Sequence, residues 1–447
     1  MTTDQFLHDL MDAARSAGLD SAEAYVMGDS SFSCKATQGQ ITDYSVNDTR
    51  GVGFRGMVNG KIGYAATEAL DASAIGALIK GVKESAELSE DDSGADLFCG
   101  ETEYPAVEAY NAALDGVAVQ DKLDLCLNME KAALAYDQRV GSVPYCMVGT
   151  ESGSVRLVNT YGLDIAYKHN YYMAFLMPIA KEDADVSTAG SFRCGSDFSA
   201  LSAEELGREA AGKAIFSLHG KPVSSGSHRA IIKNDTMAEL FNAFAGIFSA
   251  ESAQEGMSLL SGKEGECIAA PIVTLLDDPL LKNGLRSRPF DAEGVACRTK
   301  AVVEGGVLRT LLHNRKTAKK QGVLSTGNAG KAGYAGTMRV APTNFFFAPG
   351  GASLQALEAG MGEGLVITEL EGLHSGANPV SGDFSLAAKG YTVTGGVKTA
   401  PIEQITIAGN FYSLLKNIRA IGNDLSFPGS GIGSPSVDIG EISVAGL

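Results

Sequence analysis

Residues 365–407 constrain the fold more than any other stretch, because they place a polar, glycine-rich loop between two strand signals. The apolar run 365–370 predicts a buried strand. After the loop, residues 391–394 read as a strand and are followed by Gly395 and Gly396, a pair typical of a tight turn between antiparallel strands. The stretch therefore predicts a strand, a loop and a hairpin in succession.

The loop itself, residues 372–385, contains the side chains that are candidates for binding: His374, Asn378, Ser381 and Asp383. Glycine permits positive φ and close backbone approach, and loops held between rigid strands often carry binding residues. His374 and Asp383 could act as an acid–base pair. Equally, the imidazole could satisfy backbone carbonyls while the carboxylate caps a turn. We favour this structural interpretation.

His313 is the other histidine considered for catalysis, because it follows a strand-like segment and precedes a basic one. None of the six histidines has another three or four residues away, so a helical zinc-peptidase pattern with two imidazoles on one face is absent. The candidate catalytic residues are therefore His374, Asp383 and His313.

The predicted fold class is α+β, with a helix-and-sheet N-terminal region and a large β-rich C-terminal domain, barrel-like or built of stacked sheets. Pro105 and the polar stretch before it indicate one boundary, and the Gly-, Pro- and Ser-rich residues 220–227 indicate a linker. We expect an α+β domain over residues 1–105, a second over 106–219 and the β-rich domain over 220–447.

Local signals within the N-terminal half predict individual helices and a hairpin. Thr2 with Gln5, and Ser202 with Glu205, form capping boxes that precede apolar residues at helical spacing. The Asn-Gly pair at residues 59–60 is a strong hairpin signal.

Composition excludes several classes of partner. The net charge of −17 argues against general nucleic-acid binding, which needs clustered Lys and Arg. Seven cysteines are spread singly, which favours reduced thiols in a cytoplasm. No apolar stretch of 18 residues predicts a membrane helix, and the N-terminus lacks a signal-peptide pattern. We expect a cytoplasmic protein that binds neither nucleic acid nor membranes. The acidic run 90–92 predicts a solvated loop.

Two glycine-rich stretches fail as phosphate-binding motifs. In residues 327–336, Lys331 is followed by Ala332, where a Walker loop needs Ser or Thr, so we expect a flexible loop. The letters G-x-G-x-x-G at 51–56 precede a hairpin instead of the helix that a dinucleotide-binding fold requires.

The order of several short motifs resembles the TldD/PmbA family, also called TldD/TldE. In the C-terminal domain the motifs are Ser-Thr-Gly-Asn-Ala at 325–329, Asn-Pro-Val-Ser-Gly-Asp-Phe-Ser at 378–385, Ile-Thr-Ile-Ala-Gly-Asn at 405–410 and Ile-Arg-Ala-Ile-Gly-Asn-Asp at 418–424. The stretch Thr-Arg-Gly-Val-Gly-Phe at 49–54 extends the resemblance to the N-terminal region, so that it covers nearly the whole chain.

The resemblance implies one of two kinds of subunit. The TldD type is similar to a zinc peptidase, with a His-Glu-x-x-x-His helix and a late Cys as metal ligands, whereas the PmbA/TldE type lacks these and pairs with a TldD subunit. In the register set by residues 259–266, Phe241 and Gly246 occupy the two His positions and Asn242 the Glu position. Phe cannot ligate zinc and Asn is a poor general base. The last cysteine is Cys297, so the late Cys is missing too.

We therefore expect a PmbA/TldE-like subunit of a TldD/TldE-type metalloprotease complex, which acts on peptides or partly unfolded proteins; the family is also described as a modulator of DNA gyrase. The resemblance implies no metal or cofactor in this chain, zinc in a TldD-type partner, and a heterodimer with that partner or a homodimer. The alternative is a homodimeric peptide-binding or scaffold protein with no hydrolytic role. A third possibility is a hydrolytic site built on His374, Asp383 and His313.

Overall fold

The computed structural model describes residues 1–89 and 96–447, so the acidic run predicted as a solvated loop at 90–92 lies outside the described residues. Within the described residues, the N-terminal half folds around a sheet of seven strands: β1 (Ser21–Thr37), β2 (Gln40–Val58), β3 (Lys61–Thr67), β4 (Val140–Asn159), β5 (Asp164–Glu182), β6 (Asp185–Thr188) and β7 (Ser191–Gly195). Its helices are α1 (Thr3–Ser16), α2 (Ala72–Leu88), α3 (Ala112–Asp115), α4 (Val119–Leu134) and α5 (Ala203–Ser217).

The sheet runs in the order β3-β2-β1-β4-β5-β6, with β7 also beside β5. Because β1 pairs with both β2 and β4, the segments on either side of residue 105 share one sheet. Apolar side chains of α1 and α2 pack on one part of it, including Phe6 and Val82, and those of α4 and α5 pack on another, including Met129 and Ala210.

The helix starts and the hairpin predicted for this half are confirmed, although the Gln5 side chain donates to Asp9 instead of completing a capping box with Thr2. The Thr2 hydroxyl accepts a hydrogen bond from the Gln5 amide at 3.2 Å, and α1 begins at the next residue. Ser202 caps α5 in the same way through the amide of Glu205. At residues 59–60 the chain reverses as expected, since Val58 pairs with Lys61.

The C-terminal half contains many short strands: β8 (Gly226–Ile232), β9 (Leu275–Asp277), β10 (Lys300–Glu304), β11 (Val307–Leu308), β12 (Ala329–Gly330), β13 (Arg339–Val340), β14 (Phe345–Phe347), β15 (Gly364–Glu371), β16 (Asp383–Thr394), β17 (Val397–Asn410), β18 (Ala420–Ile421), β19 (Ile432–Gly433) and β20 (Val437–Ala445). Its helices are α6 (Asn234–Phe244), α7 (Ala250–Gln254), α8 (Arg315–Gln321), α9 (Leu354–Met361), α10 (Leu373–Gly376) and α11 (Phe411–Asn417).

Five of these strands close into a barrel in the order β17-β16-β15-β8-β20, because β17 also pairs with β20 through Ile407 and Val444. The predicted hairpin joins β16 to β17, with Gly395 and Gly396 at φ of 61° and 77°. The α+β class and the barrel-like C-terminal domain are thus confirmed. No helix in the described part of the chain is both long and apolar enough to span a bilayer.

Candidate functional site

The loop singled out in the sequence crosses from β15 to β16, two neighbouring strands of the closed barrel. Gly372 adopts a φ of 83°, a conformation that favours glycine, and leads the chain into the short helix α10. The Gly376 amide donates to the Gly372 carbonyl at 2.7 Å and closes this turn. His374 lies on α10 with its side chain exposed.

Asp383 is tied to Asn410 at the end of this loop. The Asn410 side-chain amide donates to the Asp383 carboxylate at 2.9 Å and to the Ser381 carbonyl at 2.8 Å. The hydrogen bond from Asn410 is the main reason why the pKa of Asp383 is lowered, and the hydrogen bond with Ser381 adds to this effect. Asn378 completes the turn by accepting from the Ser381 amide at 3.3 Å. Within residues 1–89 and 96–447, no hydrogen bond joins His374 to Asp383, whose partners are Ser381 and Asn410.

His313 belongs to a different part of the domain. Its side chain is buried, and Nδ1 lies 3.2 Å from the Thr317 hydroxyl on α8. Its backbone amide donates to Thr326 at 2.6 Å. Burial lowers the pKa of His313, which favours a neutral imidazole held within the protein. These contacts indicate a structural role for His313, which does not contact the loop over residues 372–385.

The three positions predicted as a degenerate metal helix do not share one face. Phe241 on α6 is fully buried, with its ring 4.8 Å from that of Phe345. Asn242 is exposed, and Gly246 is exposed in the 3₁₀ turn Ala245–Phe248 that follows α6. A phenyl ring, a carboxamide and a glycine supply none of the imidazole, thiolate or carboxylate donors that zinc takes. A zinc ion therefore does not fit these three positions.

A surface pocket of about 430 Å³ lies between α6 and α10 and brings two predicted residues together. We call it the α6–α10 pocket. Its lining comprises Glu239, Asn242, Ala243, Leu373, His374, Ala377 and Pro379. Asn242 and His374, which are 132 positions apart in the sequence, thus face the same space.

Glu239 is the pocket residue that the sequence did not reveal. It precedes Asn242 by three positions on α6, and that spacing puts both on one helix face. The Glu239 side chain is exposed, but the protein groups around the pocket displace part of the hydration shell of its carboxylate. This loss of hydration is the main reason why the pKa of Glu239 is raised to about 7, and repulsion from Asp235 and Glu369 adds to the rise.

The lining of the α6–α10 pocket suits hydrogen bonding to an amide backbone. A carboxyl group with a pKa near neutrality can donate or accept, and the side chains of Asn242 and His374 can do both. Leu373, Ala377 and other apolar groups surround them. In the described residues, no third His, Cys, Asp or Glu joins Glu239 and His374 in a group that could hold a metal ion.

Comparison with known proteins gives matches along nearly the whole chain. Models of the PmbA/TldA metallopeptidase match over residues 22–89 for domain 1, 113–218 for the central domain and 225–446 for the C-terminal domain. The metalloprotease PmbA of Escherichia coli O157:H7 is 27% identical over 431 residues, covering 96% of this chain and 92% of that protein.

Solved structures share the fold. A Thermotoga maritima protein named as a modulator of a DNA gyrase superposes with a TM-score of 0.93 at 33% identity, covering 99% of this chain and all of that one. TldE from Thermococcus kodakarensis gives a TM-score of 0.90 at 21% identity, with 99% and 100% covered, and so shows similarity of fold alone.

Proposed function

This chain belongs to the PmbA/TldD family, and from that premise we propose that it is the PmbA/TldE-like subunit of a TldD/TldE-type metalloprotease complex. In this proposal a TldD-type partner supplies the zinc, and this chain contributes a wall of the chamber that receives peptides or partly unfolded proteins. The matched metallopeptidase models and the name of the E. coli relative support the peptidase-related role.

The observation that carries the proposal is the chemistry of α6. Phe241 faces the core, where its ring also lies 4.9 Å from Phe347, and Asn242 and Gly246 are exposed without metal-ligating groups. A metallopeptidase needs a metal-bound water and a general base. Asn242 offers no basic group at the position where the family's zinc helix carries Glu.

The α6–α10 pocket supports a role in holding substrate. Glu239, Asn242 and His374 present donors and acceptors beside apolar surface, a combination that suits an extended peptide, whose backbone offers N–H and C=O groups in alternation. The loop that carries His374 is held at both ends by the barrel and tied by Asn410, so its groups are positioned before a peptide arrives.

Complex formation tests the subunit role. The purified chain is mixed with a TldD-type subunit from the same genome and analysed by size-exclusion chromatography with light scattering. We expect a species that contains both chains. A homodimer that binds peptides but ignores every TldD-type subunit offered would instead favour the scaffold alternative.

Peptide binding tests the pocket separately. Binding of a labelled unfolded polypeptide, followed by fluorescence anisotropy, should weaken in His374→Ala and Asn242→Ala. Ser375→Ala is the matched control, because Ser375 is exposed on α10 next to His374 but does not line the pocket. Equal affinities in all these variants would remove the pocket from the proposal.

A further inference from the structure

Asp29, Glu151 and His169 form a cluster on the N-terminal sheet, far along the chain from the α6–α10 pocket. They lie on β1, β4 and β5, and their candidate ligand atoms are all within 4.8 Å of one another. The strand register explains the meeting, because Gly153 on β4 pairs with Asp29 on one side and with His169 on the other. Glu151 precedes Gly153 by two residues and so points to the same face.

Gly153 creates the space in which these side chains meet. A Cβ atom at this position would lie 2.3 Å from Cε1 and 2.5 Å from Nε2 of His169, and 2.8 Å from Oδ1 of Asp29. The imidazole of His169 and the carboxylate of Asp29 therefore both occupy the space above Gly153, where any other residue would place its side chain. Any other residue at 153 would push the two groups apart.

We propose that Asp29, Glu151 and His169 bind a divalent transition-metal ion, with Zn²⁺ as the best fit. One imidazole nitrogen and two carboxylate oxygens are ligands that zinc accepts, at about 2.0–2.2 Å each, which places neighbouring donors roughly 3.4 Å apart in a tetrahedral site. The candidate ligand atoms now lie up to 4.8 Å apart, so metal binding requires the three side chains to move closer by up to about 1.4 Å. The fourth position is left for water.

The surroundings of the cluster agree with this assignment. Nδ1 of His169 is buried and has no hydrogen-bond partner in the part of the chain that the structure describes. Because buried polar atoms are normally paired, this nitrogen points to a binding partner that is missing from the contacts within the protein. The Tyr171 hydroxyl donates to Oε2 of Glu151 at 2.6 Å and orients that carboxylate, as outer partners of metal ligands do. A cation would also offset the repulsion between Asp29 and Glu151.

Metal binding by the chain alone tests this site without any partner subunit. The full-length protein is stripped with a chelator, exposed to ZnCl₂, separated from free metal and measured by mass spectrometry and calorimetry. We expect one zinc per chain. His169→Ala and Glu151→Gln should weaken zinc binding at least about tenfold.

Gly153→Ala gives the sharpest variant, because it keeps all three ligands and fills only the space between them. We expect it to weaken zinc binding as well. The matched control is Gly149→Ala on the same strand, where a Cβ would meet its nearest atom, the Phe32 carbonyl oxygen, at 3.3 Å. His8→Ala, which removes an exposed imidazole on α1, is the control for loss of a histidine elsewhere.

Circular dichroism identifies variants that fail to fold. X-ray absorption of the zinc-loaded wild type identifies the atoms bound to zinc without the use of any variant. A first shell of one imidazole and oxygen donors supports the site. A shell that contains sulfur, an absence of retained zinc, or equal zinc binding in the wild type, His169→Ala and Glu151→Gln would overturn the proposal.

Discussion

The ring of Phe241 lies 4.8 Å from the ring of Phe345, and this contact joins α6 to the core of the C-terminal domain. Phe241 is fully buried, whereas the next residue, Asn242, is exposed in the α6–α10 pocket. Two adjacent residues of α6 therefore have different roles: Phe241 packs in the core, and Asn242 is available for contact with a molecule bound in the pocket.

This difference predicts different costs of substitution. Phe241→Ala removes a buried ring from an aromatic cluster, so we expect it to lower the free energy of unfolding by about 3–5 kcal/mol. Asn242→Ala, at an exposed position, should change it by no more than about 0.5 kcal/mol. Urea unfolding followed by circular dichroism measures both. Similar losses in the two variants would contradict the placement of Phe241 in the core.

The raised pKa of Glu239 predicts a pH-dependent stability. Its ordinary pKa is 4.5, and in the folded protein it is about 7. Below pH 4.5 both states carry the proton, and as the pH rises towards 7 the unfolded state releases it first, so the folded state loses stability over this window. Above pH 7 the penalty is complete.

Glu239→Gln removes that penalty. We expect this variant to be more stable than the wild type at pH 8 and equally stable at pH 4, as measured by urea midpoints across that range. Glu87→Gln, at an exposed position on α2, serves as the control for the loss of a surface carboxylate. A difference that stays constant with pH would contradict the assignment.

The contacts of Asn410 predict that it holds the loop over residues 372–385. Besides its bonds to Asp383 and Ser381, its side-chain oxygen accepts from the Ser413 amide at 3.2 Å and caps α11. Asn410→Ala should therefore cost about 1–2 kcal/mol. Hydrogen exchange should become faster at residues 378–383. Ser375→Ala in the same loop is the control, and unchanged exchange in Asn410→Ala would count against this role.

The N-terminal sheet contains a buried ion pair with a testable energetic signature. Arg55 on β2 donates to Glu23 on β1 at 2.7 Å, and both side chains are buried. Glu23→Ala leaves an unpaired buried charge and should cost about 3–5 kcal/mol. Glu84→Ala breaks the exposed pair with Lys80 on α2 and should cost about 0.5 kcal/mol or less. Equal losses from the two changes in thermal or urea unfolding would refute the distinction.

Features set by neighbouring residues could be predicted from the sequence. Capping by Thr2, the Asn-Gly reversal at residues 59–60 and the turn at Gly395 each depend on a few consecutive residues, and the structure contains all of them. The closure of the barrel between Ile407 and Val444 depends on strands far apart in the chain, so only a barrel-like domain could be expected. Local propensity does not specify which strands pair.

The glycine-rich stretch 327–336 shows the same limit. The sequence predicts a loop here, and the structure shows where that loop packs: Tyr334 lies against β2, so that a Cβ on Gly53 would be 1.9 Å from the Tyr334 carbonyl oxygen. Of the α6–α10 pocket, the sequence indicates His374 and Asn242, each for a separate reason. It gives no direct sign of Glu239, apart from the helical spacing that puts Glu239 on the same face as Asn242. His169 gave no signal because sheet register alone brings it to Asp29.

The subunit role is tested by proteolysis of an unfolded protein substrate by this chain alone, by a TldD-type subunit alone and by their mixture, with zinc supplied throughout. We expect this chain alone to cleave nothing, and activity to appear, or to rise strongly, in the mixture. Robust zinc-dependent proteolysis by the purified chain without a partner would contradict it.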